Sequence, residues 1–547
     1  MEDPFPIEKL PLLAFGSADG FKDKELENTF IKTKSIQKFL QDNHSIIIGH
    51  MGTGNSALFK SLKEKSNKIG HYQTRTIVSI DETIPFNNLK KFSGLLTDID
   101  EKQLYQFIWK FQITQKIAEE ISSFSNFPNN ENEKTINEFL KLINSKSYNE
   151  PLITKLKGLI QNANFVFRTE VSNTPILIEA SLNSNTEEKD INLDKVLKSC
   201  VQVIDNRKKD NILVIIDKID AFVAGEEYNT QRKYIEALLE IDDDLSISFP
   251  KIGRKIFLRS DLFSRINYEV LGRDKVNDNT LKLRWTKNEL IYFLATRIEN
   301  ALSKEDILNF DDILYSSPII REIVEAGFFK IFIRFSKFIP RKIKKIFIDY
   351  NQLNKERHSS LKEELMKLTI IKVFPRKLIH KNSNCEEEEI TIFDFIETHF
   401  LNAHQEPSPR NILMFLKQVN DYASSYYEEN LDQEVHIINN DNIPEWKLYK
   451  KNFIYQAYIE STQDFTKNIS KTEDKWTKYF ATFLTKRRKK QVFDYTWMKQ
   501  QTGLSEEDTI VFFAYLVYIG FLYISENHPD EKKRKYKLPI MYMPNCS

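Results

Sequence analysis

Between Ser45 and Leu62 the chain reads SIIIGHMGTGNSALFKSL, and this stretch gathers the residues best able to handle phosphate. Gly49, Gly52 and Gly54 follow a short apolar run, Ile46 to Ile48, and a helical pattern opens at Ser56. Glycines let the backbone turn tightly and bring its N–H groups up to a polyphosphate, and the positive end of the following helix adds to the attraction. The spacing fits G-x-x-x-x-G-K-[ST] at every position but one, because Asn55 stands where the motif places a lysine. Gly49, Gly52, Thr53, Gly54, Asn55, Ser56 and Ala57 are therefore the candidate nucleotide-binding residues, with the Ser56 hydroxyl set to reach Mg²⁺. A plain glycine turn between a buried strand and a helix would account for the same letters without a ligand.

The absent ammonium has a definite consequence. A hydrogen bond to a charged group contributes roughly 1.5–3 kcal/mol, so nucleotide affinity is expected to fall roughly ten- to a hundredfold. Transfer of a terminal phosphoryl group should suffer more, since charge stabilisation there is most of the catalysis. Three further residues complete the candidate chemistry. ILVIID (212–217) is a buried-strand pattern closed by Asp217, and an acid at the carboxyl end of such a strand can hold magnesium through water. Lys218, Ile219 and Asp220 follow, so orienting an attacking water falls to Asp220 or to no residue. KIFLRSDLF (255–263) gives one more strand, with Arg259, Ser260 and Asp261 at its exit. Arg259 there either acts on charge developing during transfer or pairs with Asp261 or another carboxylate.

These residues need elements to carry them. FGSADGFKDKELENTFIKT (15–33) reads as a turn passing into a charged helix that leads to the loop's strand. A helix is expected over 56–66, and TRTIVSID (74–81) is a β-branched, buried-strand pattern. Residues 86–170 look like a helical insertion, since IWKFQITQKIAEEI (108–121) and INEFLKLI (136–143) repeat apolar residues at three- and four-residue spacing. PILIEASL (175–182) is a strand candidate, and LDKVLKSCVQVIDN (193–206) the helix before Asp217's strand. In LKLRWTKNELIYFLATRI (281–298) a strand-like start gives way to an amphipathic helix headed by Thr286, with Glu289 completing a capping box.

Beyond residue 300 the pattern is helical to about 420, broken by SSP (316–318) and by a polar, acidic loop around Asn382–Glu389. FFKIFIRFSKFIPRKIKKIFI (328–348) mixes aromatics with Lys and Arg. That suits a nucleic-acid or partner surface, or, as the favoured reading, a core helix whose charged stems cover an apolar rim. In PSPR (407–410), Arg410 could reach a nucleotide, but Ser408 with Pro409 at the first helical position is a helix start in its own right. From 474 onward the order is three helices and a hairpin, as in a winged helix, which reads DNA by placing its third helix in the major groove. Here that helix carries Glu506, Glu507 and Asp508 and no Lys or Arg; such acids suit a helix N-terminus and repel phosphate. The runs KRRKK (486–490) and KKRK (532–535) could touch a nucleic-acid backbone, but charge runs are commonly a solvated face.

Composition bounds the rest. At 547 residues the chain is too long for one core, and with 41% hydrophobic and 29% charged residues it reads as globular. A net charge of +1 gives no global pull toward nucleic acid. Cys200, Cys385 and Cys546 are scattered and odd in number, which suggests a reducing compartment without a disulfide framework or zinc spacing. The proline-interrupted, acidic start, MEDPFPIEKLPLLAF, is unlike a signal peptide, and no apolar run approaches the ~20 residues that cross a bilayer. A cytoplasmic protein without a membrane partner is expected. The nine histidines show no ligand pair, so no metal beyond Mg²⁺ is expected.

FGSADG (15–20), GHMGTGNSALF (49–59), ILVIIDKID (212–220), IFLRSDLF (256–263) with LRW (283–285), and PSPRNILMFLKQVN (407–420) together resemble the prokaryotic P-loop ATPases of the AAA/STAND-like group, over residues 15 to 420. The resemblance implies an α/β P-loop NTPase core, a parallel sheet with flanking helices, over 1–300 with the insertion at 86–170. It also implies a helical lid over 301–430, with a winged-helix-like domain over 431–547. It implies ATP, or another purine nucleotide, with Mg²⁺ on Ser56 and Asp217, and nucleotide state controlling self-association or a protein effector, in a group often found among antiphage defence genes. Asn55 and Lys218 depart from the group's pattern at chemically active positions. They point to nucleotide binding with weakened or absent hydrolysis. The rival reading is a non-catalytic scaffold or DNA-associated regulator with a relic loop.

Overall fold

The computed structural model describes residues 10, 12–41, 44–81, 100–124, 130–144, 165–171, 174–180, 189–206, 211–219, 228–263, 266, 272–304, 366–371, 373–381, 386–430, 451–470, 474–487 and 490–542. They pack as two compact units, one formed by 34–284 with 470–481 and the other by 1–33, 285–469 and 482–547. In chain order the first unit contains α1 (Lys34–Phe39), β1 (Ile46–Gly49), α2 (Asn55–Lys63), β2 (Thr76–Ile80), α3 (Glu101–Ser122), α4 (Glu131–Asn144), β3 (Phe165–Val171), β4 (Thr174–Ala180), β5 (Lys189–Asn192), α5 (Leu193–Asn206), β6 (Ile212–Ile216), α6 (Tyr228–Ser248), β7 (Ile252–Arg259) and β8 (Thr280–Lys282).

Five strands form one sheet in the order β2-β6-β7-β1-β8, and every pairing is parallel. A parallel sheet covered on both faces needs near-continuous apolar strands. That is why IIIG and ILVII show no polar alternation and are buried along their length. Ile46, Val78, Val214 and Ile216 of the sheet share one core with Trp109 and Phe111 of α3, Leu197 of α5 and Leu238 of α6. The stretch expected as an insertion over 86–170 thus contributes α3 to the same core as the sheet. Its last residues are strand rather than helix: β3 begins at Phe165, pairs antiparallel with β4 and parallel with β5.

Charge pins α3 in place. Lys110, 1% exposed, lies 2.8 Å from Asp194 of α5 and 2.9 Å from Asp244 of α6, and its ammonium also donates to the Glu170 carbonyl of β3. The Trp109 indole donates to the Tyr234 carbonyl at 3.1 Å. A buried ammonium is tolerated only when it is paired and hydrogen-bonded in this way.

The second unit contains α7 (Lys287–Lys304), β9 (Lys377–Lys381), β10 (Glu387–Thr391), α8 (Ile392–His399), α9 (Pro409–Asn430), α10 (Lys451–Ser470), the end of α11 (Asp474–Arg487), β11 (Val492–Asp494), α12 (Tyr495–Thr502), α13 (Glu506–Tyr518), β12 (Tyr523–Glu526) and β13 (Lys535–Lys537). Residues 15–33, expected to become a charged helix, hold one helical turn, Leu26–Thr29. Asp23 Oδ1 instead accepts from the amides of Ser17 and Glu25, at 3.2 and 3.0 Å, and such local bonds compete with helix formation. The same carboxylate takes a two-pronged bond from Arg297 of α7, at 2.6 and 3.1 Å. Gly16 makes room for this: at φ +97° it is left-handed, and a Cβ there would lie 2.2 Å from Arg297 Nη1. Residues 285–300, read from the sequence as the end of the nucleotide domain, therefore pack in this unit.

Thr286 and Glu289 cap α7 reciprocally, at 2.8 and 3.2 Å, and α9 opens at Pro409, both as the sequence predicts. Part of the expected acidic loop at 382–389 is strand, since β10 pairs antiparallel with β9. Near the C-terminus β11-β13-β12 form an antiparallel sheet, and Phe513 of α13 stacks on Tyr536 of β13 with ring centroids 4.0 Å apart. Asp220, the 328–348 stretch and two residues of KRRKK, Arg488 and Lys489, lie outside the described residues. No helix among the described residues is long and apolar enough to cross a membrane.

Removing the ammonium at Lys110 leaves Asp194 and Asp244 without their buried cation. Lys110→Met is expected to lower unfolding stability by about 3–5 kcal/mol, read as a shift in urea midpoint. A shift below about 0.5 kcal/mol would contradict the pinning role.

Candidate functional site

The glycine loop leaves the carboxyl end of β1, which lies between β7 and β8. Ile46, Ile47 and Ile48 are buried, and Gly49 stands in register with Arg259, the last residue of β7. The loop then closes on itself. The Thr53 amide and hydroxyl both bond the His50 carbonyl, at 3.1 and 2.8 Å. Gly52 and Gly54 have φ of +89° and +104°, the left-handed region that glycine enters without penalty. Gly49 is needed for space rather than for torsion, because a Cβ there would meet Thr53 Oγ1 at 2.2 Å and Asn55 Oδ1 at 2.5 Å.

Helix α2 starts at Asn55, one residue before the expected start, and no side chain caps it. The amides of Asn55, Ser56 and Ala57 thus head the helix, where backbone donors are left for an anion. Asn55 itself turns back over Gly49. Its Nδ2 donates to the Leu258 carbonyl of β7 at 3.2 Å, while its Oδ1 is buried and accepts no hydrogen bond among the described residues. A buried acceptor left without a donor costs about 1–3 kcal/mol, so this oxygen is a place where a donor would be stabilising. The residue that replaces the motif's lysine therefore braces the loop against β7.

Across the sheet edge the other sequence-predicted residues gather. Asp217, 7% exposed, follows β6, and its amide donates to the Ile80 carbonyl of β2 at 3.1 Å. Only β7 separates β6 from β1, so the two strands lie roughly 10 Å apart at ~4.8 Å per strand spacing. Lys218 has φ +61°, a left-handed backbone that a residue with a Cβ holds only under strain. Arg259 is half-buried at the end of β7, and the Asp261 side chain lies outside what is described. Among the described residues, no group of three metal-ligating side chains comes together.

One contact escaped sequence reasoning. His50 Nδ1 and Ser260 Oγ are 2.7 Å apart, tying the loop's first residue after Gly49 to the exit of β7. With 210 positions between them, no local spacing signals the pair. Ser260→Ala is expected to cost about 1 kcal/mol and to leave the overall fold intact, as measured by denaturation and far-ultraviolet circular dichroism. An unchanged midpoint would show that the bond does not hold the loop.

No family model matches the chain. Over 336 residues, 60% of this chain, it is 23% identical to a protein of Escherichia coli (strain K12) described as "Putative transposon gamma-delta 80.3 kDa protein". The match takes in 45% of that protein, so the chain spans less than half the length of this relative, to which it is distantly similar.

Proposed function

We propose that the 49–57 loop binds the polyphosphate of ATP or another purine nucleotide, with Mg²⁺ held by Ser56 and Asp217, and that hydrolysis is weak or absent. The observation that carries this reading is the placement of an all-glycine-hinged loop at the carboxyl edge of a parallel sheet, running into an uncapped helix, with Asp217 two strands away. The residues present fit such a ligand. Helix α2 opens without a side-chain cap, which leaves its first amides for phosphate oxygens. When bound, Mg²⁺ would supply charge neutralisation at the phosphates; Ser56 and Asp217 orient it, and the α2 amides meet the phosphate oxygens. Asp220 and Arg259 remain the candidates for acting on an attacking water and on developing charge.

In this reading the chain is a P-loop protein of the AAA/STAND-like kind. The helices over 301–430 serve as the lid, and 431–547 is the helical and winged-helix-like domain. Nucleotide state would govern self-association or a protein effector, with antiphage defence as the setting. Against DNA as the partner, Glu506 at the head of α13 is bonded by Lys532 at 2.8 Å and Lys499 at 3.1 Å. These lysines, Lys532 first, hold its carboxyl well below the usual range. The first lysine of KKRK is thus engaged within the module. The transposon name of the similar E. coli protein keeps a DNA-associated regulator as the second reading.

Titration with a fluorescent ATP analogue, with and without Mg²⁺, tests the first reading: saturable, Mg²⁺-enhanced binding is expected, and none at millimolar ligand would refute it. Asn55→Lys should raise affinity roughly ten- to a hundredfold, and no gain would mean that the missing ammonium is not what limits binding. Retention on duplex DNA that weakens with salt, and again when 486–490 are neutralised, would favour the regulator instead.

A further inference from the structure

Two departures from the phosphate-loop pattern stand on one edge of the sheet, and what the first takes away the second returns. At Asn55 a positive charge is missing, and at Lys218, directly after Asp217, one is added. Only β7 separates β6 from β1, so the two strands lie roughly 10 Å apart. Register brings the two residues level. Ile216 of β6 pairs with Ile256 of β7, and two residues on, Lys218 stands level with Leu258, whose carbonyl holds Asn55 Nδ2 at 3.2 Å.

The backbone at Lys218 is also out of the ordinary. Among the described residues, Lys65, Lys218 and Gln405 are the residues other than glycine with positive φ. Lys65 closes α2, where its amide and that of Ser66 bond the Leu62 and Ser61 carbonyls at 3.0 and 2.9 Å, a common setting for a left-handed residue. Gln405 sits in a tight turn, its amide on the Asn402 carbonyl at 3.0 Å. Lys218, at φ +61°, instead comes off a fully buried strand and is half-buried beside Asp217. That torsion is disfavoured for any residue with a Cβ, and such residues gather at ligand-binding and active sites. An extended residue 218 would send its side chain to the face opposite that of Asp217, and the left-handed torsion lifts this alternation.

We propose that Lys218 supplies, from the end of β6, the ammonium that Asn55 lacks, and that it meets the outermost phosphate of a nucleoside triphosphate. The inference rests on the nucleotide reading of the 49–57 loop. Loop amides and the head of α2 cradle the inner phosphates, whereas a lysine within such a loop reaches the outer ones. A lysine standing across β7, next to the residue that would hold Mg²⁺, serves the far end of the same phosphate chain. Its flexible four-carbon stem suits a point charge delivered from a distance. The ligand class follows: Lys218 contributes to a triphosphate and adds little for a diphosphate. Asn55, relieved of the charge, braces the loop on β7.

Titration with fluorescent ATP and ADP analogues, on variants whose folding is checked by far-ultraviolet circular dichroism, separates the outcomes. Lys218→Met is expected to weaken ATP binding by about tenfold or more and ADP binding by less than about threefold. Lys218→Arg keeps both charge and torsion and should bind ATP within about threefold of the wild type. Asn55→Lys should gain about tenfold in the wild type but about a hundredfold in Lys218→Met protein, because two ammonium groups on one phosphate chain are not additive. Lys218→Gly removes the charge and relieves the torsion, so the ligand-free protein should unfold at higher urea while binding ATP as weakly as Lys218→Met. A wild-type protein that binds no nucleotide overturns the loop reading and this inference together. If the wild type binds ATP, an unchanged affinity in Lys218→Met, with the same gain from Asn55→Lys in both backgrounds, overturns the relocated ammonium alone.

Discussion

The space over Gly49 is the constraint on which the loop depends. The Thr53 and Asn55 side chains fold back to within 2.2 and 2.5 Å of where a Cβ would stand, so they hold these positions only because that atom is missing. Beside it α2 starts without a side-chain cap, Asn55 is set against the Leu258 carbonyl, and His50 lies against Ser260. The sheet supplies the other half of the geometry: parallel pairing puts the ends of β1, β6 and β7 on one edge, where Gly49, Asp217 and Arg259 emerge together.

Each unit also carries a buried cation that selects its arrangement. Lys110 draws α5, α6 and β3 onto α3, and Arg297 fastens the N-terminal segment to α7 through Asp23. Such pairs contribute little net stability compared with apolar packing, yet an unpaired member is strongly destabilising. Their effect is therefore to penalise alternatives. A slipped α3 would strand an ammonium, and a helical 15–33 would take the Asp23 carboxylate away from Arg297. The second explains why a charged segment with good helix formers contains only the turn Leu26–Thr29.

One polar side chain at the sheet edge is left with incomplete partners. The Asn55 oxygen accepts no hydrogen bond among the described residues, while its amide is tied to the Leu258 carbonyl. Buried polar groups with incomplete partners raise the energy of the state that contains them.

By itself the sequence determined what depends on neighbours in the chain. Unbroken apolar runs yielded β1, β2 and β6, periodicity yielded α3 and α5, the Thr286–Glu289 spacing yielded a cap, and the glycine pattern yielded strand, loop and helix. These rest on i to i+4 contacts and on backbone torsions, which local letters encode. Tertiary structure alone decided the strand order, the sharing of one core by α3 and the sheet, the strand character of 165–171, and the packing of α7 with the N-terminal segment. It also decided what Asn55 does, because the carbonyl that its amide finds belongs to a residue 203 positions away. Pairing over such distances is chosen by whole-core burial and charge satisfaction, and no local pattern carries that information.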